Sequence, residues 1–571
     1  MSRPPHTRFS KLVHGVVLVF LFLTIAALPL IGNALAADAE LSAQLDAMFT
    51  EAYPANEPGA AVCIKRGDEI LLRAGYGLAH LELNVPMTPD MIFRIGSITK
   101  QFTAVAVLQL AATDAIDLDA PLADILPDYP GPGAAITVRQ LLNHTGGIPN
   151  YTDDLDFMEN MCLDMELDEI IATWQDRELD FEPGSDWSYS NSGYVLLGKI
   201  IEVASGLEYA DYMAERVFGP LGLEHTMYGD PGRIIPNRAA GYDPGAEGLR
   251  NAVYISMTLP HAAGALLSTV DDMVSWCETE LGDSELLPDS WHDQLVTRAQ
   301  LTDGRLTGYA CGLAIQEYEG HQIIGHGGGI NGFIAHVAHV PDEDLSVVIL
   351  SNNLSSDPPP HTLAQRAITL VLGAPLDARP REELPAALLA DLSGVYRLEA
   401  DEEERRVLRL DEDGQITSQR TGGGRTSVYF TSQEEFYFDD SLTFGRIEFD
   451  DGAVTGLWVR ASMGPEEQWR KTDEPIPTHE PMELRDLSLL DSLVGRYELM
   501  PGFEIEVRRE GDGLLMQATG QDAVEIFPET ESRWFLVEVD AVVEFRGYED
   551  GQADELVLFQ AGQEMPAARV E

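Results

Sequence analysis

A hydroxyl and an amine stand three residues apart in Ser97-Ile98-Thr99-Lys100, at the head of an apolar stretch rich in Ala, Leu and Val. At the start of a helix that spacing puts both groups on one face. A lysine shielded from water loses its proton near neutral pH, which an arginine does not do. Such an amine can act as base toward the serine, and a helix N-terminus favours the alkoxide that results. Lysine is scarce here: Lys11, Lys65, Lys100, Lys199 and Lys471 are the whole set, and only Lys100 follows a serine at this spacing. The exposed-serine elbow GxSxG does not occur.

Two further groups of residues suit the same chemistry. Tyr189-Ser190-Asn191 follows Pro183-Gly184 and precedes a helical stretch. A phenol beside an ammonium is expected to ionise more readily and relay protons, while Asn191 can hold a substrate amide and orient Lys100. His326-Gly327-Gly328-Gly329 follows the apolar Ile323-Ile324-Gly325. Glycines there let a strand edge approach a ligand, with backbone N–H groups facing an acyl oxygen.

The elements needed to position these groups are legible. Ile98 to Ala112, free of Gly and Pro, reads as a helix, as does Gly193 to Val203. Gly59 to Ile64 and Ile70 to Leu72 read as a hairpin turning at Arg66-Gly67-Asp68. Ile323-Ile324, Phe333 to Val340 and Leu345 to Leu350 read as strands, and Pro360 to Gly373 as a closing helix. Strands at both ends with helices between predict an α+β domain whose sheet joins the two ends.

Together the three motifs resemble the penicillin-recognising serine hydrolases, in the branch of class C β-lactamases, DD-carboxypeptidase-like proteins, esterases and D-aminopeptidases. Leu141 to Pro149, Pro220 to Leu223 and Ala263 to Thr269 resemble further blocks of that family, and the likeness runs from about Leu41 to Gly373. It implies a serine β-lactamase-like domain, an antiparallel sheet flanked by helices plus a helical lobe. It also implies an acyl-enzyme on Ser97, general-base and general-acid work shared by Lys100 and Tyr189, and substrate orientation by Asn191. His326 would line the site with Gly327 and Gly328, and the amides of Ser97 and Gly329 would form the oxyanion hole. Many β-lactamases and DD-peptidases carry lysine where this chain has His326, to pair with a substrate carboxylate. A mostly neutral histidine points instead to esters or D-amino-acid amides and peptides. The alternatives are a β-lactamase or DD-carboxypeptidase, and a non-catalytic penicillin-binding or sensor protein.

The rest of the 571 residues frames that reading. With 37 Lys+Arg against 95 Asp+Glu, the net charge of −58 disfavours nucleic acid and anionic lipid as partners. Arg3, Arg8 and Lys11, the apolar run Val16 to Ile31 and Ala34-Leu35-Ala36 follow a signal-peptide pattern, so residues 1–36 predict export to the periplasm or medium, with no later membrane span. Four cysteines without CxxC spacing do not make a disulfide scaffold. His336 and His339, three apart in a strand, face opposite ways, so no metal site is expected; the chemistry needs no cofactor.

After the catalytic segment, 37–376, the text turns to strands and repeats. Leu388 to Tyr396 matches Leu489 to Tyr497, Tyr429-Phe430…Phe436 matches Ile526-Phe527…Phe535, and Phe449 to Gly452 matches Tyr548 to Gly551. Two β-rich modules, 377–478 and 479–571, are predicted to be small barrels, serving as assembly surfaces for a homo-oligomer or as carriers of apolar ligands.

Overall fold

The computed structural model describes residues 39–570 apart from 130, 155–156, 158–159, 246–247, 283, 412, 440, 461, 479–481, 483, 485–486, 501 and 550. The leader pattern lies outside the described residues.

The catalytic segment is built on a six-stranded antiparallel sheet. Its strands are β1 (Ala60–Arg66), β2 (Glu69–Tyr76), β3 (Ala314–Tyr318), β4 (His321–Ile330), β5 (Phe333–Val340) and β6 (Leu345–Ser351), in the order β3-β4-β5-β6-β1-β2. The pairing of β1 with β6, from Ala60 opposite Ser351 to Arg66 opposite Leu345, joins the two ends of the segment as expected. Both faces of this central pair are covered. Ala60, Val62, Ile64, Val347 and Ile349 pack with α1 (39–52) and α4 (Pro360–Val371). Ala61, Cys63, Val348 and Leu350 turn into the core of the helical lobe. The two-residue alternation of a strand sorts these side chains between two cores.

That lobe centres on α2 (Thr99–Ala112), which is buried nearly all round and entered through a tight turn at Gly96–Ile98. Beside it lies α3 (Asn191–Ser205), longer at both ends than the expected Gly193 to Val203. Its first turn is capped by Ser190, whose Oγ accepts from Gly193 N at 3.3 Å, a local bond that hydrophobic patterning does not reveal. His336 and His339 do fall on opposite faces of β5: the His336 ring lies 6.5 Å from that of His361 on α4, while His339 meets Ser346 at 3.0 Å. All four cysteines are free.

The C-terminal part forms two closed eight-stranded barrels, Gly394 to Lys471 and Gly495 to Arg569. Each repeated landmark has a physical role. A short helix (Ala386–Leu392, then Ser488–Leu493) plugs each barrel with buried leucines, and the next tyrosine bonds back to it. Tyr396 Oη donates to Leu392 O at 2.7 Å and Tyr497 Oη to Leu493 O at 2.9 Å. Phe430 faces Phe436 across one hairpin, as Phe527 faces Phe535. Asp451-Gly452 is a two-residue turn with both φ positive, 47° and 83°, the twist that closes a hairpin.

The first barrel docks on the catalytic segment by extending its backbone pairing. Gly308 N donates to Gly464 O at 2.8 Å and Glu466 N to Leu306 O at 3.1 Å, beside an Arg298–Glu466 ion pair at 3.2 Å.

Candidate active site

The turn at Gly96–Ile98 presents Ser97 at the mouth of the lobe, and α2 then carries Lys100 inward, where it is fully buried. Lys100 Nζ lies 3.1 Å from Ser97 Oγ, 2.8 Å from Asn191 Oδ1 and 2.9 Å from Ala263 O. Two of these partners are carbonyl oxygens, which only accept. A neutral amine fits this setting: its two N–H groups meet the carbonyls and its lone pair faces the Ser97 hydroxyl. Burial drives the Lys100 pKa well below its ordinary value, in the same sense.

Asn191 is held from behind. Its Nδ2 donates to Thr152 Oγ1 at 3.1 Å and its backbone N–H to Asn150 Oδ1 at 2.9 Å, which fixes Oδ1 toward Lys100. Tyr189 stacks over the amine, with Nζ 4.6 Å from the ring centroid, and also bonds Ser97. The expectation that the ammonium would ease ionisation of this phenol fails. Desolvation by the surrounding protein raises the Tyr189 pKa, outweighing the lowering from its Ser97 bond, because the neighbouring amine is itself pushed toward neutrality. Tyr189 is a phenol that keeps its proton.

The third motif lies on β4. A Cβ on Gly328 would come within 1.9 Å of Ile95 O, so this glycine lets the strand press against the turn that carries Ser97. Gly96, with φ +50°, abuts the backbone of Gly329 in the same way, while Gly329 itself is exposed. Gly327 is half-buried beside them. His326 is buried, its Nδ1 2.5 Å from Gly327 O and its Nε2 2.8 Å from Tyr309 Oη. The carbonyl can only accept, so Nδ1 carries the proton and Nε2 accepts from Tyr309. Burial lowers the His326 pKa to about 4, so the ring is neutral.

The structure therefore brings Ser97, Lys100, Tyr189, Asn191 and the His326 to Gly329 strand together. Sequence reasoning missed their supports. Buried His144 accepts the Ser190 N–H on Nδ1 at 3.2 Å, and its ring lies 4.5 Å from that of Tyr189. It sits in the Leu141 to Pro149 block, the one signal that could have found it. Tyr309 and Thr152 carried no motif of their own, and the Ala263 to Thr269 block gave no sign that its first carbonyl would meet Lys100.

The Beta-lactamase family matches residues 45–371, and a domain of unknown function, DUF3471, matches 483–569, over the second barrel. A D-aminopeptidase of Gluconobacter oxydans is 32% identical over 61% of this chain and 65% of its own length, so just under two thirds of that relative is spanned. Penicillin-binding protein 4* of Bacillus subtilis is 22% identical over 92% of this chain and 98% of its own. The D-amino acid amidase of Ochrobactrum anthropi SV3, solved with L-phenylalanine amide, superposes with a TM-score of 0.51 at 26% identity, over 59% of this chain and 98% of that one. A lysine buried against a serine, set beside a glycine-lined strand and matched over more than half of its length, places this chain among the penicillin-recognising serine hydrolases of the Beta-lactamase family.

Proposed function

We propose that the protein hydrolyses amides or esters of D-amino acids through an acyl-enzyme on Ser97. The observation that carries this reading is the buried Lys100 amine, 3.1 Å from Ser97 Oγ with its N–H groups directed to two carbonyls. As Ser97 Oγ attacks the substrate carbonyl carbon, Lys100 takes its proton. The amides of Ser97 and Gly329 receive the oxyanion. Collapse of the tetrahedral adduct breaks the carbonyl–leaving-group bond; Tyr189 gives its proton to the departing amine or alkoxide and is reprotonated from Lys100. Water then attacks the acyl carbonyl, the amine again takes a proton, and Ser97 is released.

Similarity to proteins named as a D-aminopeptidase and a D-amino acid amidase supports D-configured substrates for this chain. The neutral His326 favours them over β-lactams, whose carboxylate would find no cation on β4. The test is a panel of D-alanine p-nitroanilide, its L-enantiomer, p-nitrophenyl acetate and a chromogenic cephalosporin. The wild type should prefer the D-amide over both the L-amide and the cephalosporin. Ser97→Ala should lower kcat/KM by about 10⁴-fold or more, and undiminished turnover in that variant defeats the reading. The same reading includes export, supported by the leader pattern; a mature N-terminus near Ala37 in the periplasmic or secreted fraction is the expected finding.

A further inference from the structure

The two barrels share one fold but fill it differently. Tyr396 faces Arg406 across the first ladder, where Tyr497 faces Ile505. Arg406 in turn faces Arg420, whereas Ile505 faces Ala518. On the last two strands Val459 faces Glu467, and Leu558 faces Met565. Three charged positions of the first barrel are thus Ile505, Ala518 and Met565 in the second. The second barrel closes without these charges, so the fold does not require them.

Their arrangement in the first barrel is costly. Arg406 is only 8% exposed; its Nη1 donates to Ser418 Oγ at 3.1 Å and its Nη2 to Glu467 at 3.3 Å, while its buried Nε has no partner. Arg420 donates to the other oxygen of Glu467 at 2.7 Å and to Glu404 at 2.9 Å. Glu467 also accepts from the Trp469 indole at 2.9 Å, so one carboxylate serves two guanidinia and an indole. A buried guanidinium with an orphan N–H costs a fold stability, so folding alone does not account for its presence here. Arg406, Arg420 and Glu467 line a cavity of about 470 Å³. Thr426 and Thr443 add hydroxyls, Phe438 and Val459 add apolar wall, and Asp439 stands there 3.8 Å from Arg381.

We propose that this cavity binds a small carboxylate, drawn by the Arg406 and Arg420 charges, whose oxygens accept from Arg420 and whose apolar body lies on Phe438 and Val459. The hydroxyls of Thr426 and Thr443 complete the shell. This site is separate from Ser97 and does not depend on the substrate proposed above.

The probe is sodium benzoate, titrated calorimetrically into the full chain at constant ionic strength, with benzamide as its uncharged counterpart. Benzoate should bind saturably at one site, and benzamide at least tenfold more weakly. Arg406→Ile with Arg420→Ala and Glu467→Met copies the second barrel's own residues and should weaken benzoate at least tenfold while keeping a cooperative melt. Absence of saturable benzoate binding, equal binding of benzamide, or unchanged affinity in the triple variant overturns the proposal. Should the triple variant not fold, Arg420→Ala alone, at a partly exposed position, must weaken benzoate at least threefold; unchanged affinity there overturns it equally.

Discussion

At the residue scale, the site depends on the charge state of a single amine. Lys100→Arg puts a cation that cannot shed its proton into a fully buried site and removes the lone pair, so kcat/KM should fall about 10³-fold or more and the melting temperature should fall with it. The pH profile gives an independent check. Burial lowers the Lys100 pKa, so the neutral form dominates above that lowered value, and kcat/KM should rise with pH on the acid side. His326, at about 4, adds no charge change at neutral pH. Tyr189, raised by desolvation, keeps its proton well into the alkaline range. Tyr309→Phe leaves the buried His326 Nε2 without a donor and should cost about 1–3 kcal/mol of stability, read from urea unfolding. These details were only partly legible beforehand. Ser97 and Lys100 announce themselves because their contact is made within one helical turn. Asn191 was readable as the group that orients Lys100, whereas Ala263 O reaches the amine from far along the chain and no local pattern fixes where it lands.

At the element scale, what matters is how closely β4 approaches the turn before α2. Gly328→Ala would push a methyl group into Ile95 O, a backbone atom with no room to yield. The variant should lose stability and most activity together, as seen by thermal melting and amide hydrolysis. A second element is held by a carboxyl group. Fully buried Glu280 accepts from Ser284 Oγ at 2.7 Å and from the N–H groups of Glu285 and Leu286, both at 3.2 Å, yet burial pushes its pKa up to about 7. A carboxyl whose folded value is raised stabilises most below its ordinary value and less as pH climbs through the folded one. The stability difference between the wild type and Glu280→Gln, read from paired melts, should therefore decline from pH 5 to pH 7, by roughly 3 kcal/mol at most, and level off above that. Element types were mostly readable: β5, β6 and α2 follow their hydrophobic text closely. The boundaries of α3 were not, because Ser190 and the Asn150 side chain set its start through bonds that leave no periodic trace.

At the scale of the whole molecule, the barrel repeat was readable because each landmark has a local function, the Tyr396 and Tyr497 bonds to their own helix plugs above all. The docking of the first barrel was not readable, since backbone pairing between 306–308 and 464–466 carries little side-chain signature. Removing residues 377–571 would strip that pairing and the Arg298–Glu466 bond, and the catalytic segment should then melt about 5 °C lower or more. The charge of −58 implies self-repulsion across the surface, so added NaCl should raise the melting temperature of the full chain until screening is complete. The union of β1 with β6 has a last consequence for biosynthesis. Ala60 finds its partner only at Ser351, so a ribosome must translate nearly three hundred further codons before the central ladder can close. Chains arrested before Ile330 lack the glycine strand, and those arrested before Ser351 lack the completed β6 that links it to β1; even with nucleophile and base in place they are catalytically silent, and competence arrives late and all at once.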